Sequence, residues 1–188
     1  VTKGLDFDNV GLVGVLNADN MLNFPDFRAF ERSYQLMSQV SGRAGRKGKR
    51  GQVLIQTYNP NHQIIRQVID HDYLGMYKNE LIDRRNFHYP PFYRLIKLTL
   101  KHRDERKLYE GANHLGRELK VQFGTRILGP EAPGIARIRN FYHQNIMLKL
   151  EKEASIKKSK KILREALQDF AIHNDYKSIR VVVDVDPV

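Results

Sequence analysis

Two consecutive prolines interrupt the chain near its middle, within the segment Tyr89-Pro90-Pro91-Phe92. A proline lacks the backbone N–H and pushes the residue before it out of the α region, so neither a helix nor a central strand continues through this segment. The chain has 188 residues, which suits one large domain or two small ones. We therefore predict a domain boundary here, with a C-terminal domain spanning residues 92–188.

The first 60 residues carry the pattern of a strand–helix–strand unit. Val10 to Leu16 and Val53 to Tyr58 are almost continuously apolar, which predicts strands buried on both faces, as in a parallel sheet. Between them, four side chains recur at spacings of three and four residues, on one face of a helix that ends near Gly42. These are Phe27, Phe30, Tyr34 and Met37. We predict an α/β domain over residues 1–60, followed by a helical connector over 61–91.

Beyond the prolines the pattern changes to alternating strands and amphipathic helices. Residues 94–101 alternate with a period of two, and helices are predicted from about Asp104 to 123 and from 155 to 173. Further strands are predicted at 127–128, 144–150 and 179–185. The order strand, helix, strand, strand, helix, strand is that of an α+β ferredoxin-like, split βαβ domain.

The charge balance indicates a polyanionic partner. The chain has 32 Lys and Arg against 21 Asp and Glu, a formal charge of +11. Divided after Phe92, it has 12 basic and 9 acidic residues (+3) in the first part, and 20 and 12 (+8) in the second. Such a surface attracts nucleic acid. Many soluble basic proteins bind none, so the interpretation as a merely soluble domain stays open.

Composition excludes several classes of protein. The chain has no cysteine, which excludes disulfides, thiol catalysis and cysteine-ligated zinc within these residues. Every apolar stretch falls far short of the roughly 20 residues that a bilayer-spanning helix needs, and no secretory signal opens the sequence. The seven histidines are scattered without a metal-binding motif. We expect a cytoplasmic protein with no membrane partner and no metal site in these residues.

The segment from Gln39 to Arg46 carries the most specific chemistry in the sequence. Arg43 and Arg46 are three residues apart and lie among glycines that let the backbone approach a ligand closely. A guanidinium binds two phosphate oxygens at once and can neutralise the charge that develops during phosphoryl transfer. Without further context, a basic surface turn and an RNA-binding loop fit the same residues, so all three interpretations stay open.

The second candidate for ligand contact is a basic and aromatic stretch after Pro133. Arg137, Arg139, Tyr142 and His143 alternate cations with rings in this part of the chain. Cations hold phosphates while a ring stacks on an unpaired base, which predicts a DNA contact. The alternative is a hairpin loop that is polar and basic for solubility alone.

Two segments resemble motifs V and VI of superfamily 2 helicases: Thr2-Lys3-Gly4-Leu5-Asp6-Phe7 and the Gln39–Arg46 block. Further segments narrow the resemblance, over essentially the whole chain, to the primosomal protein N-prime family of replication-restart DNA helicases. These segments are Asp6-Phe7-x-x-Val10, Leu22-x-x-Pro25-Asp26-Phe27-Arg28-Ala29, Glu31-Arg32, Val53-Leu54-Ile55-Gln56-Thr57-Tyr58-Asn59-Pro60, Tyr89-Pro90-Pro91-Phe92 and Asp184-Val185-Asp186-Pro187.

The resemblance implies an ATP-facing role for the first 60 residues. They would form the C-terminal part of a second RecA-like helicase lobe. Arg43 and Arg46 would contact the γ-phosphate, and Gln39 would help couple that phosphate to the lobes. Gly4 and Asp6 would line the nucleotide ribose and phosphates.

The resemblance also implies contacts with DNA and with protein partners. Thr2 and Lys3 would lie towards the DNA strand. The C-terminal domain would help to recognise branched DNA and would contact single-strand-binding protein, with primosome components as further partners.

Several parts of the family's machinery are absent from the sequence. The 188 residues contain no Gly-x-x-x-x-Gly-Lys-Ser/Thr loop, no acidic magnesium-binding strand and no zinc-binding cysteines. The parent protein would therefore bind ATP, Mg²⁺ and zinc largely through residues outside this sequence. Val1 in place of an initiator methionine indicates an excised fragment, and we expect this fragment alone not to hydrolyse ATP.

We thus predict the C-terminal part of an ATP-dependent 3′–5′ DNA helicase that recognises stalled forks and restarts replication by primosome assembly. The fragment would supply arginine fingers and DNA docking. The alternative is a stand-alone basic RNA- or DNA-binding module without a catalytic role, because basic split βαβ domains are common in such proteins. A phosphate-binding loop encoded upstream of Val1 would distinguish the first prediction from the second.

Overall fold

The chain divides into two compact units, Val1–Asn86 and Phe87–Val188. The computed structural model describes residues 10–42, 44 and 51–187. Both units mix helices with sheet, so the predicted α/β character of the chain is confirmed at this level. None of the helices in the described parts of the chain is long and apolar enough to cross a membrane.

Unit 1 contains the predicted strand–helix–strand arrangement. Strand β1 (Leu12–Val15) pairs in parallel with β2 (Gln52–Ile55), and helix α2 (Ala29–Ser41) lies between them in the sequence. A short helix α1 (Ala18–Leu22) follows β1 directly. The Asp19 carboxylate fixes it to the chain beyond β2 by accepting from Thr57 Oγ1 (2.9 Å) and the Tyr58 N–H (3.0 Å). The bond from the Tyr58 N–H lowers the pKa of Asp19.

Helices α3 (Gln63–Ile69) and α4 (Tyr73–Asn86) complete unit 1. The predicted connector residues therefore pack into the core of this unit. The core side chains come from all four helices and are Ala18, Leu22, Tyr34, Met37, Ile64, Ile65, Val68 and Met76. Of the four side chains predicted on one face of α2, Tyr34 and Met37 are buried, whereas Phe30 is 37% exposed and Phe27 lies before the helix begins.

The prediction that both strands of unit 1 are buried on both faces is wrong for the described residues. Leu12 and Leu54 are each 62% exposed. Within residues 10–42, 44 and 51–86, the side of this two-stranded sheet that carries Val15 and Ile55 meets the helical core. A continuous apolar run does not itself show how many layers cover a strand.

Unit 2 has the predicted order of strands and helices, with one further short strand. Its elements are β3 (Tyr93–His102), α5 (Glu105–Phe123), β4 (Ile127–Glu131), β5 (Arg137–Ile138), β6 (Phe141–Glu151), α6 (Ile156–Ile172) and β7 (Arg180–Val185). The strands form an antiparallel sheet in the order β4–β6–β3–β7, and β5 pairs with β6 alone.

One face of this sheet packs against α5 and α6. Leu98 of β3 and Ile146 of β6 are opposite each other and fully buried. Leu115 on α5 and Phe170 on α6 belong to the same core. Both helices begin at a side-chain cap: Asp104 accepts from the Lys107 N–H (3.0 Å), and Ser155 accepts from the Lys158 N–H (3.4 Å).

The Tyr-Pro-Pro-Phe segment lies against the second face of the sheet, at the end where β3 begins. Lys149 of β6 is only 8% exposed, and its Nζ donates to the Phe87 carbonyl (2.7 Å). The same ammonium lies 3.6 Å from the centroid of the Tyr89 ring. Burial lowers the pKa of Lys149, while the carbonyl and the ring favour its charged form. The two contacts of Lys149 thus hold the chain before β3 against the sheet of unit 2.

We expect Glu80→Gln to stabilise unit 1 at neutral pH. Glu80 is 8% exposed and bonds to Arg84 Nη2 at 3.1 Å, and burial raises its pKa above 4.5. Because the folded chain binds this proton more tightly than the unfolded chain, stability is lost as the pH rises from about 4.5 through the folded pKa. Glutamine does not ionise, so this loss of stability does not occur in the variant. Its side-chain oxygen can still accept a hydrogen bond from Arg84, and Arg84 keeps its ion pair with Glu31.

Urea denaturation of the variant and the parent chain, followed across this pH range, measures the effect. The two midpoints should converge at acidic pH and separate as the pH rises. Glu110→Gln on α5, which removes an exposed partner of Arg106, is the matched control and should change little. A variant less stable than the parent at pH 7 would contradict the expectation.

Candidate nucleic-acid interface

The predicted basic and aromatic stretch forms a tight hairpin at one end of unit 2. Ile138 pairs with Phe141 across a two-residue turn, and Arg137 pairs with Tyr142. The turn residues Arg139 and Asn140 both have positive φ, 47° and 64°, as a type I′ turn requires. The turn leaves Arg139 exposed at the tip of the hairpin.

The four predicted DNA contacts do not lie on one surface. Side chains along β6 alternate between the two sheet faces, and Tyr142 lies on the face that packs against the core. Arg137 is exposed on that side, with its guanidinium carbon 5.1 Å from the centroid of the Tyr142 ring. His143 lies on the opposite face, where it is 9% exposed and its Nδ1 has no hydrogen-bond partner in the described structure.

A second cluster of cations and a ring lies on the opposite sheet face, at the same end of the sheet. Phe141, the first residue of β6, is partly exposed there. The guanidinium of Arg103 lies 5.5 Å from the centroid of its ring, and that of Arg180 lies 5.4 Å from it. We call these three residues the Phe141 cluster. Lys101 is directly opposite Arg180 on the neighbouring strand and adds a third cation nearby.

Strand pairing and a histidine bridge position the two arginines. Arg103 follows β3, and Arg180 is the first residue of β7. His102, the last residue of β3, accepts at Nδ1 from the Asp104 N–H (3.0 Å), and its Nε2 lies 3.2 Å from Ser178 Oγ. This bridge ties the end of β3 to the chain just before β7. Asp104 also caps α5, and the bond from the Lys107 N–H lowers its pKa.

In the described parts of the chain, neither arginine of the cluster has its guanidinium paired with a carboxylate. Among the described residues, Arg103 and Arg180 form no ion pair with a carboxylate. Two other arginines of unit 2 do form such pairs: Arg106 with Glu110 (3.1 Å) and Arg126 with Glu151 (2.8 Å). The cluster can therefore offer its positive charge to an external anion.

The Phe141 cluster could not be recognised in the sequence because its members are far apart along the chain. Arg103, Phe141 and Arg180 become neighbours only through the pairing of three strands. A usable signal was present, since basic residues flank two predicted strands at the ends that an antiparallel sheet brings together. To find the cluster from these residues, one would also need to know which strands are neighbours in the sheet.

The structure describes one of the predicted ATP-site residues. Gln39 is exposed in the last turn of α2, which ends at Ser41 with Gly42 as its C-cap. The remaining predicted residues of this part of the chain lie outside the described residues: Thr2, Lys3, Gly4, Asp6, Arg43 and Arg46. Across residues 10–42, 44 and 51–187, no group of three or more histidine or acidic side chains could hold a metal ion.

Comparison with known proteins identifies the family. The family model described as the primosomal protein N C-terminal domain matches residues 85–188. The replication restart protein PriA of Bacillus subtilis is 41% identical over 189 residues, covering the whole chain and 23% of that protein. The corresponding protein of Synechocystis is 40% identical over 79% of the chain and 18% of its own length. That of Treponema pallidum is 36% identical over the whole chain and 28% of its own length.

The chain thus spans about a quarter of the length of the curated relatives that it matches. The match includes both units, because the relatives from B. subtilis and T. pallidum align over the whole chain. More than half of the chain lies within the family model. The chain therefore belongs to the primosomal protein N family.

Proposed function

We propose that this chain is the C-terminal part of a replication-restart protein, an ATP-dependent 3′–5′ DNA helicase that recognises stalled forks and leads to primosome assembly. Three relatives that match it over most or all of its length are named replication restart protein. The part assigned to this chain is DNA docking by unit 2 and completion of an ATP site by unit 1.

The observation that carries the docking assignment is the grouping of exposed cations around rings at one end of unit 2. Arg137 lies over Tyr142 on one side of the sheet, and Arg103 and Arg180 lie near the Phe141 ring on the other. Unit 2 has a formal charge of +8, which attracts a polyanion from a distance. Phosphates and bases are the groups that such pairs of cations and rings recognise.

The order of elements supports assigning unit 2 as a ferredoxin-like, split βαβ domain. For unit 1, the parallel strands β1 and β2 with α2 between them in sequence support a portion of a RecA-like lobe. Because α3 and α4 share its core, we assign the lobe to Val1–Asn86 and the docking domain to Phe87–Val188.

Within unit 1, the proposed ATP-facing residues are Arg43 and Arg46 at the γ-phosphate, Gln39 beside them, and Gly4 with Asp6 at the ribose and phosphates. Thr2 and Lys3 are assigned to the DNA strand. Bound ATP with Mg²⁺ would supply the free energy for strand separation, held mainly by a lobe outside this sequence. For the whole protein we also propose bound zinc as a cofactor, and single-strand-binding protein and primosome components as partners.

We expect the double variant Arg137→Ala, Arg139→Ala to weaken binding of the chain to forked DNA. Each phosphate contact that the substitutions remove should reduce the slope of log K against log salt concentration by about 0.9 for duplex contacts. Gel shifts or fluorescence anisotropy at several salt concentrations measure both quantities. The control, Arg117→Ala with Lys120→Ala, removes two exposed charges from α5. Equal weakening in both variants would show that net charge alone is responsible.

In the full-length protein, Arg43→Ala should lower DNA-stimulated ATP hydrolysis by about three orders of magnitude while DNA binding is largely kept. The reason is that an arginine at the γ-phosphate stabilises charge that develops only in the transition state. Lys49→Ala, which removes one charge from the same segment outside the matching motif, is the control. Unchanged turnover in Arg43→Ala would contradict the assignment. Steady-state phosphate release with and without single-stranded DNA measures the effect.

A further inference from the structure

We propose that the Phe141 cluster is a binding site for an unpaired base of single-stranded DNA, with the Phe141 ring stacking on the base and Arg103 and Arg180 holding the adjacent phosphates. This inference rests on the proposed DNA docking by unit 2 and specifies the form of DNA that this face takes. It concerns the sheet face opposite Arg137 and Tyr142.

The chemistry of the cluster matches the repeating unit of a single strand. A nucleotide offers one flat aromatic base with a phosphate on either side of it along the strand, and the cluster offers one ring with two guanidinium groups nearby, 5.5 and 5.4 Å from its centroid. Base stacking on a protein ring is tolerant of sequence because every base has a π face. Guanidinium groups bind phosphate oxygens through two donors at once.

The cations of this cluster are available for a ligand, whereas a comparable cation on the same sheet face is not. Lys149 is buried at the other end, against the Tyr89 ring and the Phe87 carbonyl, so its charge is used within the protein. Arg103 and Arg180 are exposed and form no ion pair with a carboxylate among the described residues.

The strand framework fixes the backbone positions of the cluster before DNA binds. Lys101 pairs with His143 of β6 and with Arg180 of β7, so all three strands are in register at this end. The His102–Ser178 contact at 3.2 Å adds a side-chain link beside it. Ile179, next to Arg180, is 6% exposed and belongs to the core. Such pre-organisation reduces the entropic cost of binding a ligand.

A single strand fits this face better than a duplex. In a duplex the bases stack on one another inside the helix and cannot reach a ring on a flat sheet. An open antiparallel sheet with a partly exposed ring can receive a base only from a strand that is unpaired. The phosphate contacts alone would not distinguish the two forms of DNA.

The test compares an oligo-dT strand with an abasic strand of equal length and charge, bound to the whole chain and followed by fluorescence anisotropy. The parent chain should bind the dT strand about 5- to 150-fold more tightly, as expected for one stacked base. Phe141→Leu should abolish this preference, because leucine keeps apolar bulk without a ring, whereas Phe141→Trp should retain it. Binding of blunt duplex should be the same for the parent chain and for Phe141→Leu.

The double variant Arg103→Ala, Arg180→Ala should reduce the salt slope for the dT strand by about 0.7 for each phosphate that is no longer bound. Val121→Ala, which trims an 82% exposed apolar side chain on α5, is the control for Phe141→Leu. If Phe141→Leu keeps the preference for dT while the parent chain binds DNA, the stacking site is refuted and the docking function remains. If the parent chain binds no DNA at low salt, the docking function itself fails.

Discussion

The pairing of β3 with both β6 and β7 is the constraint on which unit 2 depends. Leu98 lies opposite Ile146 on one side and Val183 on the other. A slip of one residue in either pairing would turn every side chain of the slipped strand to the other sheet face, which would expose Ile146 or displace Arg180. The burial of apolar side chains against α5 and α6 therefore fixes the register, and the register places Arg103, Phe141 and Arg180 together.

On the sheet face that does not pack against α5 and α6, a cation lies beside an aromatic ring at both ends, but the surroundings of the two cations differ. At the end where β3 begins, the Lys149 ammonium lies against the Tyr89 ring and donates to the Phe87 carbonyl, so its charge is used inside the protein. At the other end, two guanidinium groups lie near the Phe141 ring and remain exposed. Exposure and the absence of an ion pair to a carboxylate among the described residues, rather than the presence of a cation beside a ring, mark the second end as the candidate ligand site.

Local patterns predicted most of the elements but little of the candidate site. The helices of unit 2 and the strands β3 and β7 were predicted to within one or two residues, because hydrophobic periodicity is a local property. The two-residue strand β5 was missed, since its hairpin depends on positive φ at Arg139 and Asn140, without the glycine that usually signals such a turn. The period of two in a strand is enough to place Tyr142 and His143 on opposite faces of the sheet. Recognising the Phe141 cluster also needs the order of the strands in the sheet, which no local pattern contains.

In the proposed docking, charge provides long-range attraction to any DNA, and stacking provides selectivity for unpaired bases. A formal charge of +8 attracts any nucleic acid, and its effect falls steeply with salt and carries no selectivity for DNA form. A ring adds little to long-range attraction but binds only where a base is free to stack. Arg137 and Arg139 belong to the hairpin, whereas Phe141 lies on the sheet where the second strand of that hairpin begins. A fork presents duplex phosphates next to unpaired bases, so adjacent contacts of both kinds would favour the junction over either arm alone.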